Sequence, residues 1–170
     1  MGAARYLVRP IRDDERDEFA RLVTERWGST VVVSREVAHD VRSLPALVAV
    51  AADAGPAAPW LGMASYRFEA AECELVQLVA FERGFGVGTA LLSAVAAAAR
   101  AARARRVWLT TTNDNLDAMR FYQRRGFRFI WIWRDSLARA RQIKPEIPLL
   151  GEHGIPITDE IEMELLLDEL

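Results

Sequence analysis

The segment Glu82-Arg83-Gly84-Phe85-Gly86-Val87-Gly88-Thr89 stands between an apolar run and a long alanine-rich stretch. Glycine has no Cβ, so at such a turn the main chain can approach a bulky anion closely. Successive N–H groups converge on one concavity there, and the N-terminus of a following helix adds partial positive charge. A phosphate or pyrophosphate suits that concavity; a purely structural turn is the plain alternative. A P-loop is excluded, since it needs Gly-Lys-Ser/Thr and the segment has no lysine. The dinucleotide fingerprint G-x-G-x-x-G is not met either, because the spacing is G-x-G-x-G. The run before it also carries Glu72, Glu74 and Gln77, too polar for a strand buried on both faces. What is met is Arg-x-x-Gly-x-Gly, through Arg83, Gly86 and Gly88.

A second constellation lies in NDNLDAMRFYQRRGF, residues 113–127. Asn115, Ala118, Tyr122 and Arg125 recur at steps of three and four, which places them on one helical face. An amide, a methyl group, a phenol and a cation make a poor core stripe but can line a cofactor groove. The bland reading is an amphipathic helix with its tyrosine half buried.

In this order and about thirty residues apart, the two signals resemble the GNAT N-acetyltransferase superfamily. The turn is similar to that family's pyrophosphate motif. Asn115, Ala118, Phe121, Tyr122, Gly126 and Phe127 fit its N-x-x-A-x-x-F-Y-x-x-x-G-F pattern. The likeness is tight over residues 72–129 and loose elsewhere. It implies acetyl-CoA as co-substrate, with the pyrophosphate on the backbone of Arg83, Gly84, Phe85, Gly86, Val87, Gly88 and Thr89. Leu78, Val79 and Ala80 would bond the pantetheine like an added strand, beside a bulge that splays their strand from the next. Asn115 would hold the pantetheine arm. Tyr122 would be the catalytic acid toward the departing thiolate. The family's usual Val-x-Pro before the turn is here Val79-Ala80-Phe81, so the position of the bulge is left open.

The resemblance implies direct acetyl transfer to a primary amine of a small molecule or a peptide. A lysine-like amine is mostly ammonium at neutral pH, with a reference pKa of about 10.4, so a base is needed. Glu74 is the candidate catalytic base, on the strand that leads to the thioester. Glu72 shares its face by the two-residue period and is the rival; ordinary solvent-face acids are the plain alternative. Backbone N–H groups near Leu78 and Val79 would stabilise the developing oxyanion. Cys73 falls on the opposite face from both acids and beside their charge, which makes it a poor nucleophile and a core residue. A non-catalytic acyl-CoA-binding sensor or interaction module is the alternative function.

These groups need a scaffold, and the chain has the means to build one. Its 170 residues are 51% hydrophobic and 27% charged, the size and composition of one α/β domain spanning residues 1–170. A net charge of −2 argues against nucleic acid, and no apolar run is long enough to span a membrane. With one cysteine and no leader pattern, the cytoplasm is expected. His39 and His153 lack partners at ligand spacing, so no metal is expected.

The periodicity predicts strands over 6–9, 46–52, 60–68, 72–81, 107–112, 127–134 and 160–167. Helices are predicted over the segment after Asp13 or Asp14 as cap, and over 34–43, 86–105 and 116–125. The order is β-α-α-β-β-β-α-β-α-β-β, one mixed sheet with helices on both sides. Phe19, Leu22, Val23 and Trp27 form the buried stripe of the first helix. Arg100, Arg103, Arg105 and Arg106 read as a solvated helix end, and one of them or Arg125 can meet the cofactor 3′-phosphate. By the resemblance, Trp27, Arg35 and Glu36 lie on the acceptor side. Trp131 and Trp133 share a strand face and read as packing. The loop 147–157 is open between lid, homodimer contact and plain packing.

Overall fold

The computed structural model describes residues 6–53, 55, 58–81 and 85–167. In chain order these form β1 (Tyr6–Pro10), α1 (Arg16–Trp27), β2 (Val31–Ser34), β3 (Val37–Asp40), β4 (Ala46–Ala51), β5 (Gly62–Glu69) and β6 (Glu72–Ala80). There follow α2 (Val87–Ala101), β7 (Arg106–Thr112), α3 (Leu116–Gln123), β8 (Arg128–Trp133), α4 (Ser136–Ile143) and β9 (Glu160–Leu166). Seven strands make one sheet in the order β1-β4-β5-β6-β7-β9-β8, while β2 and β3 pair only with each other. The expected mixed α/β class holds.

Both faces of the sheet are covered. Leu91, Leu92, Val95 and Ala99 of α2 pack on Leu47, Ala64 and Leu75. Phe19 and Val23 of α1 pack on Val48 and Met63 from the other side, with Leu22 and Trp27 partly buried at the margin, as the helical spacing predicts. The join between β6 and β7 matters most. They are parallel and paired only from Glu72 opposite Arg106 to Glu74 opposite Trp108. Beyond Glu74 the two strands part. The β5–β6 register shows why: Ser65 faces Gln77 and Tyr66 faces Leu75, so Val76 is an inserted residue that bends β6 away. This locates the bulge that the sequence left open.

Four expectations are corrected. Residues 34–43 are not one helix: they hold the turn and second strand of the β2–β3 hairpin, and only Val41–Ser43 make a 3-10 turn. The type I′ two-residue hairpin turn needs positive φ at both central positions, and Asn-Gly is its usual signature. Here Arg35 (φ 50°) and Glu36 (φ 65°) adopt that shape without it. The strain, about 1–2 kcal/mol per residue, is offset by tertiary contacts. The Arg35 N–H donates to Glu160 Oε1 (3.2 Å), and its guanidinium lies 4.8 Å from the Trp108 ring centre. Glu36 pairs with Arg139 at 2.5 Å.

The second correction is α4, whose eight residues fall in a stretch with no predicted element. Third, neither Asp13 nor Asp14 caps the first helix. Both lie in a 3-10 turn, and Glu15 takes the cap position without a side-chain bond to the helix, its carboxylate accepting instead from the Arg12 N–H (2.9 Å) and from Arg9 (2.7 Å). Fourth, the long helix ends at Ala101, so Arg103, Arg105 and Arg106 lie beyond it and Arg106 belongs to β7.

Candidate active site

Where β6 leaves β7, one side of its backbone has no strand partner, and Leu78, Val79 and Ala80 lie on that open stretch. A groove of about 700 Å³ runs along them, closed on the far side by α2 and α3. Gly86 caps α2 in the left-handed region (φ 78°), where a side chain would strain the turn. Gly88 lets the helices close up, since a Cβ there would sit 3.3 Å from the Phe121 ring. Both glycines line the groove, with Thr89. Val87 is buried in the core and the Phe85 side chain is exposed, so only their backbones are available to a ligand. Arg83 and Gly84 lie outside the described residues.

The facing wall comes from α3. Asn115 caps that helix, its Oδ1 accepting from the Ala118 N–H (3.0 Å), which leaves the amide nitrogen for a ligand. Arg120, Arg124 and Arg125 stand at the rim. Arg125 lies 3.6 Å from the Phe121 ring centre and donates to Thr89 Oγ1 and to the Phe121 carbonyl. Neither Arg100, Arg103, Arg105 nor Arg106 lines this groove. The α3 helix closes on Gly126 (φ 88°), where the Phe127 N–H reaches back to the Tyr122 carbonyl at 3.2 Å.

Tyr122 is the meeting point. It lines this groove and also a second cavity, of about 630 Å³, on the α1 side of the sheet. Burial pushes its phenol well above the ordinary value, with Arg125 pulling weakly the other way. It therefore stays protonated across the neutral range.

The second cavity lies under the β2–β3 hairpin. Trp27, Val33, Leu75, Leu109, Leu137 and Ile157 give it apolar walls, and Glu160, Gln77 and Lys144 are polar groups in its lining. The loop 144–157 is one of these walls and is pinned from within. Arg141 donates to the carbonyls of Ile147 (3.1 Å), Pro148 (2.6 Å) and Ile157 (2.7 Å). Gly151 permits its tightest approach: a Cβ there would lie 1.9 Å from Asp114 Oδ2, which accepts from the neighbouring Glu152 N–H.

The acids of this face fare differently. Glu74 is buried, bonded to Arg67 Nε at 2.5 Å and 3.8 Å from His39, and it is not among the residues of either cavity. Glu72 pairs with Arg106 (2.8 Å), as does Glu164 (3.0 Å). Glu162 accepts from the Trp133 indole (2.9 Å). Glu160 lines the second cavity with no ion-pair partner among the described residues, and Glu146 lines it beside Lys144. Glu160 is 3% exposed, and its Oε2 has no hydrogen bond. Burial pushes its carboxyl above the usual carboxylate range, against hydrogen bonds to the Arg35 backbone, Ser136 and Thr110 that lower it.

Sequence reasoning missed Glu160. The alternation Glu160-Ile161-Glu162-Met163-Glu164 marks a strand with one acidic face. What it does not reveal is that a hairpin from residues 31–40 buries the first of those acids. Cys73 is fully buried, and burial together with the Glu74 charge pushes its thiol up to about 12. Trp131 is mostly exposed, while Trp133 supports Arg35 at 5.4 Å.

Comparison with known proteins agrees with this layout. Residues 11–127 match the Acetyltransferase (GNAT) family. The chain is 40% identical over 108 residues to the uncharacterized protein YdhI of Bacillus subtilis strain 168, covering 64% of this chain and 68% of that protein. Its fold is similar to that of an IAA acetyltransferase from Bacillus cereus, with a TM-score of 0.71 at 19% identity, covering 95% of this chain and 99% of that one. It is also similar to a Bacillus subtilis acetyltransferase solved in complex with CoA, with a TM-score of 0.64 at 17% identity, covering 96% and 98%.

Proposed function

We propose, from the premise that this chain belongs to the acetyltransferase (GNAT) family and is an acyltransferase, that it moves the acetyl group of acetyl-CoA directly onto a primary amine. The observation that carries this reading is the junction at Tyr122, where the groove beside β6 meets the Glu160 cavity. The groove suits the cofactor. Its open strand edge at Leu78–Ala80 offers main-chain bonds to the pantetheine amides. The start of α2 offers N–H groups to the pyrophosphate, and the arginines of α3 offer charge to the outer phosphates.

When bound, the thioester supplies an activated acetyl group and a thiolate that leaves as the new C–N bond forms. The protein's own residues do the rest. Glu160, in place of the expected Glu74, takes the ammonium proton so that the nitrogen lone pair is free to attack. A raised carboxyl suits that exchange better than an ordinary one. Main-chain N–H groups near Leu78 and Val79 meet the charge that develops on the acyl oxygen. Tyr122 donates its phenolic hydrogen toward the departing sulfur. In this reading the reaction belongs to the cytoplasm, where the lone buried thiol of Cys73 needs no partner.

Calorimetry with CoA, with NAD as control, tests the groove; thiol release from acetyl-CoA with an amine tests the reaction. Saturable CoA binding and amine-dependent thiol release are expected. CoA binding with no release for any amine would favour a sensor instead.

A further inference from the structure

The acceptor cavity has a roof. Lys144, on the loop after α4, donates to the Val31 carbonyl of the hairpin at 2.7 Å, and Arg139 of α4 pairs with Glu36 at the hairpin turn at 2.5 Å. The hairpin is in turn fixed to the sheet, with Ser34 Oγ 3.3 Å from Thr110 Oγ1 and the Arg35 N–H on Glu160. An extended polypeptide laid over this face would have to break both bridges, whereas a small molecule fits beneath them. A cavity of about 630 Å³ lies in the usual range for small-molecule sites.

Within it, two buried polar groups lack partners. They are Glu160 Oε2 and the Gln77 carboxamide, both of whose polar atoms are unbonded. A buried polar atom without a partner keeps its desolvation penalty, so a ligand that satisfies it gains correspondingly. An ammonium group has three donors and no acceptor, and it can meet Glu160 and the Gln77 oxygen together. The lysine in the wall spends one of its three donors on the Val31 carbonyl, and Arg26 also lines the cavity, so the cationic groups stand apart from the unpaired acid. Around these groups the walls are Trp27, Val33, Leu109, Leu137 and Ile157.

We infer that the acceptor is a small primary amine on an apolar aryl or alkyl body, its nitrogen held between Glu160 and Gln77. This rests on the acetyl-transfer reading of the same site. In the reaction the amine nitrogen bonds to the acyl carbon and the C–S bond breaks; of the two protons the ammonium loses, one passes to Glu160 and the other replaces the hydrogen that Tyr122 gives to the thiolate, leaving the amide and the free thiol.

The test compares initial rates of thiol release from acetyl-CoA with phenethylamine, isoamylamine, an aminoglycoside and a lysine-containing peptide. The expected kcat/KM for the two apolar amines exceeds that for the aminoglycoside and the peptide by at least about thirtyfold, as a small, largely apolar pocket rejects a bulky polar body. Glu160→Gln lowers kcat/KM for phenethylamine by about 10²-fold or more. Gln77→Leu lowers it by about tenfold. CoA affinity, read by calorimetry, stays within about twofold of the parent for both variants, which shows a folded groove. Preference for the aminoglycoside or the peptide overturns the inference, as does full activity in a CoA-binding Glu160→Gln protein. Failure of the parent protein to bind CoA overturns the acetyl-transfer reading itself.

Discussion

The two sides of the β6–β7 split are built on different principles. On the cofactor side, the work falls to backbone: an open strand edge, a left-handed glycine at a helix cap and a second glycine where two helices meet. On the acceptor side it falls to side chains brought from far apart, with Glu160 bonded to Arg35 across 125 positions and Lys144 to Val31 across 113. Backbone recognition restricts which residue types fit, so it leaves a local spelling. Side-chain recognition across long separations leaves none.

The sharpest test of this contrast concerns Glu74, the acid that spacing favours as base. If its place is structural, Glu74→Gln removes one of the two acidic partners of the half-buried Arg67, which keeps Glu69, and costs about 1–3 kcal/mol in chemical denaturation, with kcat per folded molecule largely kept. A loss of kcat by about 10²-fold or more at unchanged stability would return the base to the cofactor-side strand. Next is Gly151→Ala, which forces Asp114 or the loop to move. It should destabilise the fold by about 1–3 kcal/mol and raise the acceptor KM while leaving CoA affinity alone. A change confined to CoA binding would assign that loop to the wrong side.

Tyr122→Phe comes third. It should lower kcat at least about tenfold with little change in acetyl-CoA affinity, since it removes one donor and no packing surface. Wild-type turnover would end its role as acid. The smallest effect expected is at Cys73. Buried and held near 12, it should take up no iodoacetamide in the native protein at neutral pH, and activity should not fall. Alkylation with loss of activity would reopen covalent catalysis.

The sequence reading succeeded and failed along the same line. Gly86, Gly88, Asn115, Ala118 and Tyr122 all line the groove, because each is there for a local reason that spacing reveals. Phe19 and Val23 are buried for the same kind of reason. The hairpin was hidden because Arg35 and Glu36 are poor turn formers held in place by Glu160, Trp108 and Arg139, all distant in sequence. Glu160 was hidden in the complementary way. An acid in an alternating strand reads as solvated until something covers it. The role of Arg106 was hidden because the helix ends at Ala101 and not at residue 105, which moves this arginine from a solvated tip to a strand where it ties together Glu72 and Glu164.

The brief pairing of β6 with β7 has a mechanical side. Three ladder positions, riveted by Arg106 to acids of both β6 and β9, are where the leaf β1-β4-β5-β6 is stitched to the leaf β7-β9-β8. A small rotation about that seam displaces each point in proportion to its distance from it. The wide end of the wedge can therefore breathe to admit and release a long ligand, while the narrow end keeps its spacing nearly constant.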